Sequence, residues 1–328
     1  MKPIISLCID LTSRCNLHCA GCPMGRREIF TSNGAMTPQL LRDILIKAKS
    51  EAHILGVWLY NWTEPFMHPA LPSMVDQVHQ SGLLCYLSSN LNISRQIPEV
   101  MGLDPEMLMV SVSGFTQGVY GIAHQGGNVE QVKANMRLVS ECRRSTHVRV
   151  HWHQYRHNAG EESLMRQYAE GLGFDFCAYK AVCLPLEKAV KVWRHNEAED
   201  KSTMQLLLPL SRAKTLCWYR RHWPCDIMNH MIIIDSDGQL RSCSAYYNAR
   251  LVKRGMFLDT PMSTHLSERR QSDMCRKCME IGAHVYCCSK SEVPLYSPVQ
   301  TLIRAWRELP FHGLFPKGAA RLRRLLFQ

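Results

Sequence analysis

Ile4-Ile5-Ser6-Leu7-Cys8-Ile9-Asp10-Leu11-Thr12-Ser13-Arg14-Cys15-Asn16-Leu17-His18-Cys19-Ala20-Gly21-Cys22 decides how the rest of the chain is read. Its first half alternates and is β-rich, the pattern of a strand. Its second half sets three cysteines within eight residues, spaced C-x3-C-x2-C. Thiolates are soft ligands, and a loop that gathers several of them suits soft metals or iron–sulfur clusters. Three ligands are one short of the four that close a structural site. An iron held this way keeps a position open to something other than protein. A zinc knuckle, or chance spacing in a cysteine-rich chain, is the plainer alternative.

Beyond the triplet, strands and helices alternate. Met36-Thr37-Pro38 starts a helix with Thr37 as N-cap and Pro38 in its first turn. Leu40, Leu41, Ile44, Leu45 and Ala48 then recur at helical spacing. Ile54–Asn61 is a short apolar run of the kind a buried parallel strand shows. A helix near Leu71–Gln80, a strand over Leu83–Ser88, a short helix at Ile97–Met101 and a strand over Met107–Ser113 follow. Asn128 caps a helix running to Cys142, His147–His153 is a strand, Glu161–Leu172 a helix ended by Gly173, and Phe174–Tyr179 a sixth strand. This repetition predicts an α/β fold with a parallel sheet and right-handed crossovers. Ligands of such folds collect beyond the C-terminal ends of the strands, which is where the triplet lies.

The triplet after a first strand resembles the radical SAM superfamily, with Cys15, Cys19 and Cys22 matching its signature position for position. The resemblance covers residues 4–180 and implies a partial (β/α)6 barrel, a [4Fe–4S] cluster on the three cysteines, and S-adenosylmethionine bound at the open iron. The family's Gly-Gly-Glu-Pro turn has its counterpart in Asn61-Trp62-Thr63-Glu64-Pro65, which keeps Glu-Pro and lacks both glycines. Glu64 is the residue expected on the methionine amine, since ammonium–carboxylate bonds are among the stronger polar contacts. Ser89 and Asn90 resemble the turn after the third strand and are candidates for the methionine or ribose. Ser113 resembles the ribose-contacting serine. Arg156 is a candidate for the methionine carboxylate, because guanidinium pairs with carboxylates bidentately. Alternation groups His151, His153 and Tyr155 on one face of the fifth strand. His153 is read either as a substrate contact or as a satisfied core group.

A second cysteine set lies downstream. Met231–Ile234, an Asp237-Gly238 turn and a returning strand form a hairpin signal that delivers Cys243. Cys225 precedes it, and Cys275-x2-Cys278 follows. This order resembles the SPASM/twitch extensions of radical SAM enzymes, which carry auxiliary [4Fe–4S] clusters. The spacing after Cys278 departs from the seven-cysteine SPASM form. The single-cluster twitch form on Cys225, Cys243, Cys275 and Cys278 fits better. Cys217, Cys287 and Cys288 are left over, as a second or substituted ligand set. A four-cysteine zinc ribbon is the alternative. Cys8, Cys85, Cys142, Cys177 and Cys183 are scattered and read as buried small apolar residues.

The expected organisation is a core over 1–184, a charged linker over 185–210, a β-hairpin/helix cysteine-rich unit over 211–290 and a basic helical tail over 291–328. The tail sets Arg304, Arg307, Lys317, Arg321, Arg323 and Arg324 against Glu308. Its apolar Leu302, Trp306, Leu314 and Leu322 favour docking on the body over an anionic surface. Fifteen cysteines without a secretory layout argue for metal binding in a reducing, cytoplasmic setting. No apolar run reaches the ~18–20 residues that span a bilayer. The formal charge of +11 falls to roughly +8 once two clusters are counted. That excess suits an acidic or phosphorylated substrate, or an electron donor with an acidic face such as flavodoxin or ferredoxin, or simply solvates the surface. No nucleic-acid motif is evident.

The resemblance thus implies an enzyme that cleaves S-adenosylmethionine reductively and abstracts hydrogen from carbon. The triplet sits too near residue 1 to leave room for the leader-binding domain of many peptide-modifying relatives. Oxidation or epimerisation of a carbohydrate- or aminocyclitol-like molecule is therefore the first expectation, and peptide modification the second. Cys287 is a candidate hydrogen donor for an epimerisation. A non-catalytic iron–sulfur or zinc protein is the third reading.

Overall fold

Among the described residues, nine strands hydrogen-bond into one sheet, in the order β6-β5-β4-β3-β2-β1-β7-β8-β9. The computed structural model describes residues 2–26, 34–195, 203, 205–248 and 252–288. In chain order the elements are β1 (Ile4–Ile9), α1 (Pro38–Glu51), β2 (His53–Trp58), α2 (Leu71–Gln80), β3 (Cys85–Ser89), α3 (Ile97–Gly102), β4 (Met107–Ser111), α4 (Gln117–Ala123), α5 (Val129–Cys142), β5 (His147–Gln154), α6 (Glu162–Gly171) and β6 (Asp175–Lys180). There follow α7 (Leu186–His195), α8 (Leu210–Tyr219), α9 (Asp226–His230), β7 (Met231–Ile234), β8 (Gln239–Arg241), β9 (Lys253–Met256), α10 (Met262–Gln271), α11 (Asp273–Glu280) and α12 (Ala283–Cys288).

The local signals act as their chemistry requires. Thr37 accepts from the Leu40 N–H at the start of α1, and Leu41, Ile44, Leu45 and Ala48 form its buried face. Asn128 accepts from the N–H groups of Glu130 and Gln131. The strands β1 to β6 pair in parallel with their sequence neighbours, as the alternation predicts. Parallel strands need cover on both faces. On β1, Ile5, Leu7 and Ile9 are accordingly fully buried on one face, and Cys8 is buried on the other.

β1 is shared. It pairs with β2 on one side and with β7 on the other, both in parallel. The downstream hairpin therefore extends the sheet, where the sequence reading gave it to a separate unit. β7 and β8 are antiparallel, with Ile234 opposite Leu240. Gly238 turns between them at φ +84°, a left-handed conformation that glycine adopts at little cost. By its contacts Met1–Lys290 forms one unit. The expected tail lies outside the described residues.

The expected linker contains α7. Its Leu186, Ala189 and Trp193 are buried in a second core with Leu210, Ala213 and Cys217 of α8 and Ala283 and Val285 of α12. The charges at Lys188, Lys191 and Arg194 suggested a solvated segment, but they alternate with an apolar stripe of helical period. Of the five scattered cysteines, Cys8, Cys85 and Cys183 are buried as expected, Cys142 is half-buried and Cys177 is exposed. Cys177 lies on β6, which among the described residues is the edge strand on that side of the sheet.

Where β7 turns into β8, the Arg241 Nε donates to Asp235 Oδ1 at 2.5 Å, and both side chains are buried. Removing one partner of a buried pair leaves the other charge uncompensated. Asp235→Ala is expected to cost about 3–5 kcal/mol, read as a lowered midpoint in denaturant unfolding.

Candidate active site

A cavity of about 450 Å³ opens at the C-terminal ends of the parallel strands. Its lining includes Cys15, Cys19 and Cys22 from the loop after β1, Glu64 after β2, Ser89 and Asn90 at the end of β3, and Ser113 after β4. His153 and Tyr155 reach it from β5 and the residue beyond, and Tyr179 from β6. Cys287 of α12 closes the far wall. Of the proposed cofactor residues, the structure leaves one outside. Arg156 is exposed, does not line this cavity, and donates from Nε to the Leu206 carbonyl at 3.1 Å. Alternation explains it: Arg156 shares the strand face of Trp152, which is buried in the main core, while His153 and Tyr155 face the cavity.

The cysteine loop is held from several sides. His18 N–H donates to the Gln125 carbonyl and Ala20 N–H to that of Ala123. Arg26 donates to the carbonyls of Ala20 and Leu184. Asn90 Nδ2 lies 3.8 Å from Cys15 Sγ and bonds Asn16 Oδ1 at 3.0 Å. Burial, followed by repulsion from Glu64, pushes the Cys15 thiol up to about 12. Burial, then repulsion from Cys22 and Cys15, pushes Cys19 up as well. The three sulfurs therefore stand close enough to oppose one another's ionisation, and a bound cation would reverse that opposition.

Glu64 accepts three hydrogen bonds. Ser89 Oγ reaches Oε1 at 2.8 Å, Asn90 N–H reaches Oε2 at 2.8 Å, and Phe66 N–H reaches Oε1 at 3.1 Å. Burial outweighs these bonds and raises the carboxyl from 4.5 to about 7. A carboxylate offers about four acceptor sites, so capacity remains for an ammonium. The turn that carries Glu64 is fixed by Asp10, at the end of β1. Its Oδ1 accepts from the N–H groups of Asn61, Trp62 and Thr63 at 3.0, 3.1 and 3.1 Å, and from Thr63 Oγ1 at 2.6 Å. On the opposite wall the Tyr179 hydroxyl lies 2.9 Å from His153 Nε2, and Ser113 Oγ accepts the His153 N–H at 3.2 Å. Asp10, Tyr179 and His124, which lines the cavity beside Cys19, were not anticipated. Asp10 had a signal, as a lone acid closing an apolar strand. His124 had none.

Among the described residues, no group of three or more His, Cys, Asp or Glu side chains is arranged to hold a single metal ion. A cubane asks for a wider set, because each thiolate binds a different iron and the sulfurs surround the cluster. Three thiols lining one cavity, with side-chain donors at two of them, fit that requirement.

The second cysteine set also comes together. Cys225, Cys243, Cys275 and Cys278 line one small cavity, joined by Cys287, which thereby borders both cavities. Cys217 is buried in the second core and is absent from this lining. The side chain of Cys288 lies outside the description. Arg269 is fully buried beside the set. It donates to the carbonyls of Ile227, Met228 and Met231; burial lowers its pKa to about 10, and the field of Cys243, Cys275 and Cys225 opposes that shift. A fixed cation next to four thiols suits an anionic cluster.

No family model and no curated protein matches the chain. Solved structures do. The chain is similar to anSMEcpe with bound AdoMet, at 16% identity over 98% of this chain and 100% of that one, with a TM-score of 0.59. It is similar to Streptococcus suis SuiB bound to S-adenosylmethionine, at 13% identity over 86% of this chain and 72% of that one, with a TM-score of 0.58. SuiB bound to precursor peptide SuiA gives 12% identity over 86% and 71%, with a TM-score of 0.60. The chain shares the mixed α/β fold of these proteins, parallel sheet included.

Two outcomes follow. A Cβ at Gly25 would lie 2.5 Å from Cys19 N and 2.7 Å from Cys19 O, both backbone atoms. Gly25→Ala is expected to abolish iron loading by the triplet while far-ultraviolet circular dichroism stays native. The raised Glu64 carboxyl favours folding fully below about 4.5, and that contribution is lost as pH rises through about 7. In the metal-free protein, the difference in melting temperature between native and Glu64→Gln chains should change across that window and be flat outside it.

Proposed function

We propose that the protein is a radical SAM enzyme with a twitch-type auxiliary cluster. The observation that carries this reading is the convergence of Cys15, Cys19, Cys22, Glu64, Ser89, Asn90 and Ser113 on one cavity at the strand ends. The likeness in fold to anSMEcpe and SuiB, both solved with the same sulfonium compound, supports it. β1 to β6 would form the partial barrel, and residues 211–290, whose hairpin joins the same sheet through β7, the auxiliary cluster region. Cys15, Cys19 and Cys22 would hold a [4Fe–4S] cluster, and Cys225, Cys243, Cys275 and Cys278 a second. When bound and reduced, the first supplies the electron that splits S-adenosylmethionine into methionine and a 5′-deoxyadenosyl radical, which takes hydrogen from carbon.

The chain's own groups do the positioning. Glu64 receives the methionine ammonium, and its orientation is set by Ser89, Asn90 and Phe66. Asp10 keeps the turn from yielding when that charge arrives. Ser113 offers a hydroxyl to the ribose. The His153–Tyr179 pair sits on the substrate side, where it can hold a proton released from an oxidised alcohol. An acidic electron-donor protein would meet a chain whose formal charge of +11 falls to roughly +8 with both clusters bound.

Two substrate classes each have a specific support. Peptide modification draws on SuiB, solved with precursor peptide SuiA, and anSMEcpe, solved with a Cp18Cys peptide. A small carbohydrate- or aminocyclitol-like molecule draws on the His153–Tyr179 pair in the cavity wall, which can take a proton from an alcohol. Cys287, at the boundary of the two cavities, would be the hydrogen donor if the outcome is epimerisation.

Anaerobic reconstitution should load about eight irons per chain, the content of two [4Fe–4S] clusters. With dithionite and S-adenosylmethionine it should release 5′-deoxyadenosine. Cys22→Ala should stop that release. Cys243→Ala should lower iron to about four per chain and keep the release, since the auxiliary site does not bind the sulfonium. A chain purified without oxygen that contains zinc alone, or that forms no 5′-deoxyadenosine, refutes the proposal.

A further inference from the structure

His124 follows α4, a helix with no sequence role assigned to it, and its Nδ1 lies 3.7 Å from Cys19 Sγ. The ring is 7% exposed. It stacks on Tyr120 with centroids 4.7 Å apart and planes inclined by 19°. The backbone on either side of it is tied to the cysteine loop through Ala123 and Gln125. The position of α4 is itself tightly set, because a Cβ at Gly114 would fall 2.3 Å from the Tyr120 backbone.

The contact belongs to a longer chain of bonds. Asn92 Nδ2 donates to the Tyr120 hydroxyl at 2.7 Å, and the Asn92 N–H donates to Asn90 Oδ1 at 2.9 Å. Asn90 Nδ2 then approaches Cys15 Sγ at 3.8 Å. Two of the three sulfurs of the triplet thus have a side-chain nitrogen beside them, one at each end of the same network. A thiolate bound to iron has no proton to give, so the imidazole must be the donor at Cys19. Among the described residues Nε2 has no hydrogen-bond partner, so none of them opposes the tautomer with its proton on Nδ1.

We propose that His124 is a positioning residue for the redox centre, whose Nδ1–H donates to the Cys19 thiolate and raises the reduction potential of the cluster on Cys15, Cys19 and Cys22. The inference rests on the cluster reading above. Reduction adds one electron, taken from a low-potential donor such as dithionite, and much of the added charge is shared with the ligating sulfurs. A hydrogen bond to sulfur therefore favours the reduced state more than the oxidised one. No proton is transferred and no bond to iron is exchanged.

The test is a redox titration of the full reconstituted chain, followed by electron paramagnetic resonance. The signal that changes when S-adenosylmethionine is added identifies the N-terminal cluster. His124→Phe keeps the stacked ring and removes the donor. It should leave about tenfold less cluster reduced at a given solution potential, a downward shift of about 59 mV for one electron. His124→Asn places an amide N–H near the lost Nδ1 and should recover most of the shift. An unshifted potential in His124→Phe overturns the inference, as does a shift that Asn leaves unchanged. If His124→Phe does not load iron, the native protein grown with isotope-labelled histidine decides. Pulsed resonance should detect a nitrogen coupled to the reduced cluster, and its absence overturns the inference. A native chain that loads no cluster at the triplet overturns the underlying reading itself.

Discussion

The carboxylate of Asp10 joins the two halves of the site. It stands at the end of β1, where the chain leaves the sheet for the cysteine loop, and it collects the backbone of Asn61, Trp62 and Thr63 from the end of β2. Buried N–H groups in a turn need an acceptor, and here one carboxylate serves three in succession. Asp10 does so while almost fully buried, and burial raises its carboxyl to about 6. Glu64 and the cysteine loop are thereby set relative to one another by a single side chain. The two acidic groups near the triplet are both held against their own desolvation, and this is tolerable because each has several donors.

β1 carries the same logic to the scale of the fold. It lies between β2 and β7, so its end is the place where the parallel sheet meets the downstream hairpin. The second cysteine set follows that hairpin through Cys243 and is closed by α11 and α12. Cys287 borders both cavities as a result. The buried cations take up separate posts: Arg241 against Asp235 at the hairpin, and Arg269 beside the four thiols. Each offsets negative charge that the interior would otherwise exclude.

Much of the architecture was legible in the residues. Period-two and period-three-and-a-half patterns located β1 to β6 and most of their helices, and Thr37 and Asn128 marked helix starts because their side chains replace missing N–H acceptors. α4 was missed, since Gln117–Ala123 contains two glycines and little apolar periodicity. α7 was missed because charge concealed its stripe. Spacing alone paired Cys275 with Cys278 and grouped the N-terminal triplet, and local geometry suffices for such neighbours.

The sequence by itself determined the alternating α/β plan, the cysteine triplet and the acid that follows the second strand, because each is written in residues adjacent along the chain. Only the tertiary structure decided which distant side chains face them. Strand alternation left two faces open at β5, and packing of Trp152 into the core turned His153 to the cavity and Arg156 away. The contact of His124 with Cys19 spans a separation of 105 residues and exists only because α4 returns against the cysteine loop. No local pattern encodes such a meeting. It is fixed by the burial of the helices and strands that carry the two residues.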